Sequence, residues 1–385
     1  MRHSDTNLIV LVITLSVVLL AGLFILPIRE SSHVIFSSLE KYNIWSGEAP
    51  SGHLAVGNNL ATPEPLRLLF FGDLMLDRHV GEVLAKHNLA YLLAGVLSKA
   101  TSSLATSSEL ESKTINARTF DLVGANLEGA VTDGGQHYSP TNSYDFAFSP
   151  SRINELSAYG FNYFNLANNH FSDQGRAGVA ETRTNLNQLG FTYSGEVDAQ
   201  ISSSSVTIIE RQQKKLALIG LSMVYNDFDL EAAKKLVTLA QTDNDLVIIN
   251  IHWGQEYQHQ FNSHQQTIGR ALIDSGADVI IGHHPHVVQG VEIYKNKPIF
   301  YSLGNFIFDQ YFSVDTQTGL AVGLELSATS TTISLFPLQS QTSAVFLKSG
   351  ADKDKFLKQL IFWSQLNEDQ ATSLGRGRLV LDKIP

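Results

Sequence analysis

The sequence predicts an α/β fold, a layered sandwich of strands and helices preceded by an N-terminal transmembrane helix. Three observations predict it. Short apolar runs recur along the chain and mostly finish in polar residues or glycine, as buried strands do where they reach a turn. Segments with apolar residues at three- and four-residue spacing lie between several of these runs, which is the helical period. One apolar run near the N-terminus is far longer than any strand. Strand–helix alternation places helices on both faces of a sheet.

The elements follow in order. Residues 1–7 form a short polar tail. Leu8 to Ile28 is 21 residues without a charge, roughly 31 Å as a helix, which is close to the hydrocarbon thickness of a bilayer. It is apolar on every face, and no small-x-small cleavage site is evident between Ala21 and Ser32. An uncleaved single-pass anchor is expected, with the bulk of the chain outside the cytoplasm. Residues 29–65 read as a linker, because Ser31 to Pro65 is rich in Ser, Gly, Asn and Pro. At Leu66 the texture changes. "LRLLFFGDLML", "FDLVGANLEG", "FNYFNLANNH", "KLALIGLS", "DLVIINIHWG", "ADVIIGHHPH" and "KPIFYSLGNF" read as strands. "HVGEVLAKHNLAYLLAGVLSKA", "SRINELSAYG", "AGVAETRTNLNQLG" and "HQQTIGRALIDSG" read as helices, and three of the four stop at or beside glycine. After Gln310 two alternating β segments surround a Ser/Thr turn. The main domain is drawn over residues 66–340, with a last helix and tail over 341–385.

Composition narrows the function. A net charge of −10 and the absence of a lysine–arginine block leave no basic surface for nucleic acid. There is no cysteine, so disulfides, thiolate metal sites and a cysteine nucleophile are excluded.

In open α/β sheets functional groups gather at the carboxyl ends of strands. Those ends deliver Asp73, Asn126, Glu128, Asn168, Asn169, His170, Asp173, His252, Glu256, His283, His284, His286 and Asn305. Carboxylate, imidazole and amide oxygen together suit a divalent ion such as Zn, Mn or Fe. Taken singly, most have a plainer reading: Asp73 as a turn cap, Asn126 and Glu128 as a helix cap, His170 as a core histidine, Glu256 as a surface charge. The imidazoles of His284 and His286, either side of Pro285 on a rigid turn, resist that treatment. Burying neutral imidazoles without partners costs roughly 1–3 kcal/mol for each unsatisfied group, and a metal removes that cost.

The stretches "GDLMLDR", "ANLEGAVT", "LANNHFSDQG", "IHWGQEY", "GHHPHVVQGVE" and "YSLGNFIFDQ" occur in the order seen in CapA-type proteins of bacterial capsule or poly-gamma-glutamate synthesis. That family resembles calcineurin-like metallophosphoesterases, and the likeness runs from about Leu66 to Ser340. The resemblance implies a metallophosphoesterase-type sandwich with one or two divalent ions. It implies Asp73, Glu128, Asn169, His252, His284 and His286 as metal ligands, with His283 as an extra imidazole behind them. The pattern expects a histidine two residues after the first aspartate, and this chain has Met75 there.

Two classes of function compete. In the first, the chain is an anchored metal-dependent hydrolase acting on a phosphoester or on a gamma-glutamyl amide of an anionic polymer. His170, oriented by Asp173, then donates a proton to the leaving group. Arg78 is a candidate clamp for a substrate anion and equally reads as a surface helix residue. Asn126 and Asn305 are candidate substrate-binding amides, and Glu256 orients a ligating histidine from behind. In the second, the chain is a non-catalytic subunit that keeps the fold and works with other capsule-synthesis proteins. Specificity is expected in the loop from Asp133 to Pro150 and near Asn226 to Glu231.

Overall fold

The computed structural model describes residues 64–98 and 114–384. The expected anchor over 8–28 and nearly all of the linker lie outside them. Among the described residues no helix is long and apolar enough to cross a membrane.

The described residues begin with β1 (Leu66–Leu74) and α1 (Arg78–Lys86), whose first amide is capped by Asp77. A second cap at Asn88 starts α2 (Leu89–Leu93), so the single helix expected after His79 is broken at His87–Asn88. β2 (Leu122–Leu127), the short β3 (Ala130–Val131) and β4 (Ala147–Phe148), α3 (Pro150–Leu156) and β5 (Tyr163–Asn165) follow. Then come α4 (Gly175–Gln188), β6 (Thr192–Ser194), β7 (Val206–Arg211) and β8 (Lys214–Ser222). No element was expected over 230–242, where the structure forms α5 (Leu230–Thr242). Asp229 caps it, and Ala233, Leu236, Val237 and Ala240 carry its buried stripe. The chain continues through β9 (Leu246–His252), α6 (Ser263–Asp274), β10 (Val279–His283), β11 (Val291–Tyr294), β12 (Lys297–Phe300) and β13 (Asn305–Ile307). It ends in β14 (Thr318–Leu326), β15 (Ser330–Gln341), β16 (Ala344–Leu347), α7 (Gly350–Trp363), α8 (Glu368–Leu374) and β17 (Arg378–Asp382).

Among the described residues two mixed sheets form, beside the separate two-stranded pair β3–β4. The first runs β16-β15-β14-β1-β2-β5-β6, with β13 added to β1 and β17 to β15; the second runs β11-β12-β10-β9-β8-β7. Neighbouring strands near the centre of each are parallel. A strand's alternation sends successive residues to opposite faces. From β1, Leu68 and Phe70 join Leu218 of β8, Ile248 of β9 and Ile281 of β10 in a core between the sheets. Leu69 and Phe71 face the other way, packing with Val80, Leu92, Ile153 and Leu186 of the helices. Ile219, Ile249 and Ile251 of the second sheet pack in turn with Val237 and Leu272. The layers are helix, sheet, sheet, helix, which is the layered α/β sandwich the alternation predicts. Strands covered on both faces read as unbroken apolar runs.

Two departures change the expected boundaries. "KPIFYSLGNF" is not one strand: β12 stays in the second sheet and β13 crosses to the first. The crossing is tight. A Cβ on Gly72 would lie 1.8 Å from the Gly304 carbonyl oxygen, and Gly304 itself has φ +65°. The division after residue 340 is not a boundary either. β16 and β17 both pair with β15, and Phe356, Leu357 and Leu360 of α7 are buried in the inter-sheet core. Phe356→Ala should therefore lower unfolding free energy by about 3–5 kcal/mol. Urea denaturation checks this, and a loss well under about 1 kcal/mol would mean that α7 is peripheral.

Candidate metal centre

The site is set by register. In the first sheet Asn305, Asp73, Asn126 and Asn165 are Cα partners on four neighbouring parallel strands. In the second, Ser222, His252 and His283 are partners on three. Asp73, Asn126, Asn165, Ser222, His252 and His283 lie at or near the carboxyl ends of their strands, whereas Asn305 opens β13, and polar side chains of the two rows meet. Past β10 the chain turns through His284 and His286 with φ of +97° and +57°. Such angles are costly for residues with a Cβ and persist where the surroundings over-determine them. Here the His284 amide donates to Asp73 Oδ2 at 3.3 Å, and the Tyr257 amide donates to the Pro285 carbonyl at 2.8 Å.

Asn126 sits at the centre. Its Nδ2 is 2.9 Å from Asp73 Oδ1, 3.2 Å from Glu128 Oε1 and 3.2 Å from His252 Nδ1. Its Oδ1 accepts from Asn165 and Asn168 at 2.9 and 3.2 Å. His252 Nε2 lies 2.7 Å from Asn169 Oδ1 and 3.8 Å from Glu128 Oε1. His283 Nδ1 is 3.5 Å from Asp73 Oδ1, and its Nε2 is 3.3 Å from Asn250 Oδ1. His286 Nδ1 is 3.4 Å from Asp73 Oδ2 and 3.0 Å from Asn305 Oδ1. At the rim, His170 Nδ1 meets Asp173 Oδ2 at 2.8 Å, and the Phe146 ring covers the imidazole at 4.2 Å.

Burial and mutual charge shape the titration. Burial alone would raise the Asp73 carboxyl, but the imidazoles of His283 and His286 beside it outweigh burial and hold the group well below its usual range. Burial, then the charge of Asp73, holds Glu128 well above the usual carboxylate range. Burial pushes His252 down, helped by His284. His284 falls to about 3 through burial and the neighbouring His286 charge. Burial opposes the charge on His286, yet Glu128 and Asp73 hold it up at about 9. Burial also raises Asp173.

The profile of the family described as "Bacterial capsule synthesis protein PGA_cap" matches residues 67–310. The chain belongs to that family. It is 27% identical over 318 residues to "Capsule biosynthesis protein CapA" of Bacillus anthracis, covering 77% of this chain and 73% of that one. It is 29% identical over 281 residues to "PGA biosynthesis protein CapA" of Bacillus subtilis (strain 168), covering 69% of this chain and 68% of that one. Among solved structures, a hypothetical protein from Thermus thermophilus aligns with a TM-score of 0.44 at 15% identity, over 72% of this chain and 100% of that chain. That likeness is too loose to carry chemistry.

In this capsule-synthesis chain the residues fit a divalent cation. Asp73, Glu128 and His252 each offer an atom within 4.8 Å of the others, and so do Glu256, His284 and His286. Glu128 Oε2 and His284 Nδ1 are buried without a hydrogen-bond partner. Leaving such atoms dry and unpaired costs roughly 1–3 kcal/mol each, and a cation would satisfy them. The expected ligands Asp73, Glu128, Asn169, His252, His284 and His286 belong to one network with His170 and Asp173 at its edge. Asn126 and Asn305, expected to face substrate, instead spend their amides inside it. Asn305 Nδ2 donates to Gln310 and to the Thr316 carbonyl, each at 3.0 Å, while its Oδ1 holds His286. Arg78 is committed to a forked pair with Asp309 and lies over the Phe146 ring at 5.0 Å.

Besides Asn165, three supporting residues escaped the sequence reading. Asn250 interrupts the apolar run of β9 and holds His283, a signal that was visible. Tyr225 reaches Asn169 with its hydroxyl at 3.5 Å. Asp198 clasps the loop beside it, accepting from the amides of Val224, Tyr225 and Asn226 at 2.9–3.1 Å. Neither carries a local pattern.

Protons compete with metal here. Glu128 and His286 hold theirs above their ordinary ranges, and both must lose them to ligate. Raising the pH removes the competitor, so affinity for Zn²⁺ or Mn²⁺ should climb between about pH 6 and about pH 8, by up to about tenfold per unit for each proton displaced. Calorimetric titration of metal-stripped protein checks this, and an affinity that falls with pH would contradict it.

Proposed function

We propose that this chain is a membrane-anchored, metal-dependent hydrolase that acts outside the cytoplasm on an anionic capsule polymer, poly-gamma-glutamate or a phosphoester linked to its synthesis. The observation that carries the reading is the pair of carboxylate–imidazole triads at and just beyond the strand ends, one fully buried and one including half-buried Glu256, each with an unpartnered buried atom. Family membership supports the polymer class, and the apolar stretch over 8–28 supports the anchor. Its metallophosphoesterase-like character rests on the ordered motifs and the ligand types they bring together.

A divalent ion held by Asp73, Glu128, Asn169, His252, His284 and His286 would supply Lewis acidity and electrostatic stabilisation for hydrolysis. The chain's own residues do the rest. Asp173 fixes the His170 ring through Nδ1, and Phe146 packs on its face, so that one nitrogen remains to hold or deliver a proton. Asn126, Asn305 and His283 keep the ligands oriented from behind. Tyr144, Tyr225, Tyr257 and Phe312 are exposed large side chains. Tyr257 lies 6.3 Å from the His286 ring, Tyr144 6.0 Å from the Arg78 guanidinium, and Tyr225 next to Asn169. They form the surface that a polymer repeat would touch.

A second reading has two observations in its favour. Met75 stands where the metallophosphoesterase pattern has a histidine, and Arg78 is already paired with Asp309. A chain so altered suits a non-catalytic subunit working with other capsule-synthesis proteins. Turnover separates the two. Metal-loaded full-length protein should hydrolyse a phosphodiester, a phosphomonoester or a gamma-glutamyl amide, and His284→Ala should lower kcat/KM by at least about 100-fold with cooperative unfolding retained. Metal bound without turnover on any of the three would leave the subunit reading standing.

A further inference from the structure

The position that lacks its histidine is informative. Met75 is fully buried, packed in the core between the first sheet and its helices, and its Sδ accepts from the Asp77 amide at 3.0 Å. Residue 75 is thus turned into the fold and supplies nothing to a cation. Across the site, the chain leaving β9 makes up the difference. The Trp253 amide donates to the His283 carbonyl at 3.1 Å, and the Tyr257 amide to the Pro285 carbonyl at 2.8 Å. These two bonds lash the β9 loop to the histidine turn and deliver Glu256 between them. A Glu256 carboxylate oxygen and one ring nitrogen each of His284 and His286 lie within 4.8 Å of one another.

Ligands at about 2.0–2.2 Å from one ion stand no more than about 4.4 Å apart, so a few tenths of an ångström of closure completes the set. His284 is 4% exposed, and its Nδ1 has no hydrogen-bond partner. A buried imidazole nitrogen left in that state, beside a carboxylate and a second imidazole, calls for a cation. Asp73, a member of the first triad, also borders the second: its Oδ2 lies 3.4 Å from His286 Nδ1 and accepts the His284 amide at 3.3 Å.

We propose that Glu256, His284 and His286 hold a second divalent cation, with Asp73 reaching both ions, so that Glu256 takes the ligand place that Met75 leaves unfilled. The proposal rests on the cation-binding reading above and assigns Glu256 a direct bond to metal rather than a supporting role behind a histidine. The two ions then have unlike surroundings. The first, near Asp73, Glu128 and His252, is fully buried; the second, with half-buried Glu256, is nearer the mouth.

The test uses metal-stripped full-length protein titrated with Mn²⁺, with stoichiometry from calorimetry and ion–ion coupling from electron paramagnetic resonance. Wild type should bind two Mn²⁺ per chain with a spin-coupled signal, as ions about 3.5–4 Å apart give. Glu256→Ala should bind one, with an uncoupled signal, and Glu256→Gln should bind the second at least about tenfold more weakly. Two coupled ions in Glu256→Ala would overturn the assignment. A single ion in wild type would also overturn it while leaving the first cation site intact. No Mn²⁺ bound to wild type would sink both readings together.

Discussion

The structure depends on one constraint: polar side chains at matched positions on the parallel strands of two mixed sheets must satisfy one another in a place that water does not reach. Asp73, Glu128, His252 and His283 are all fully buried. A charge in such a place is expensive unless it is paired and hydrogen-bonded. The sheets therefore present complementary rows, carboxylate and amide on one side and imidazole on the other. Everything from the strained turn at His284 and His286 to the close approach of Gly72 and Gly304 serves to bring those rows into reach.

The amides explain how the cluster tolerates its own charge. Asn126, Asn165, Asn168 and Asn250 lie where a carboxylate would add to an already crowded field. Each offers donor and acceptor from one neutral group. Asn126 uses both: its nitrogen serves the acids and its oxygen gathers the other amides. With Asn replaced by Asp at this centre, three carboxylates would share one dry volume, and like charges so close cannot all ionise.

Much of this was legible in the sequence, for a physical reason. Strands buried on both faces leave a continuous apolar signature, so β1, β2, β8, β9 and β10 stand out, and their polar ends stand out with them. The helices with clean apolar spacing and a glycine stop, α4 and α6, were equally visible. What escaped depends on partners distant in the chain. β7, β11 and β17 are edge strands whose identity comes from pairing, and β17 reads as a tail until β15 is beside it. The end of the domain was misplaced for the same reason. Arg78 looked free because nothing local announces Asp309, 231 positions away. Asn305 looked open to substrate because its three partners lie in segments that only the fold brings round.

If the chain handles an anionic polymer, as proposed, its net charge of −10 sets a field of the polymer's own sign. Asp173 and Glu256 add negative charge beside the imidazoles, and Arg78 is already paired with the buried side chain of Asp309. Attraction for an anion must then come from something the site gathers rather than from its side chains. A divalent ion near the rim answers that need, since its charge exceeds that of any single acid beside it and acts where the dielectric is low. An ion at the buried position would do less for recognition, because Asp73 and Glu128 would largely cancel its charge. With both positions filled as proposed, the inner ion would fix the geometry of the cradle and the outer one would meet the polymer.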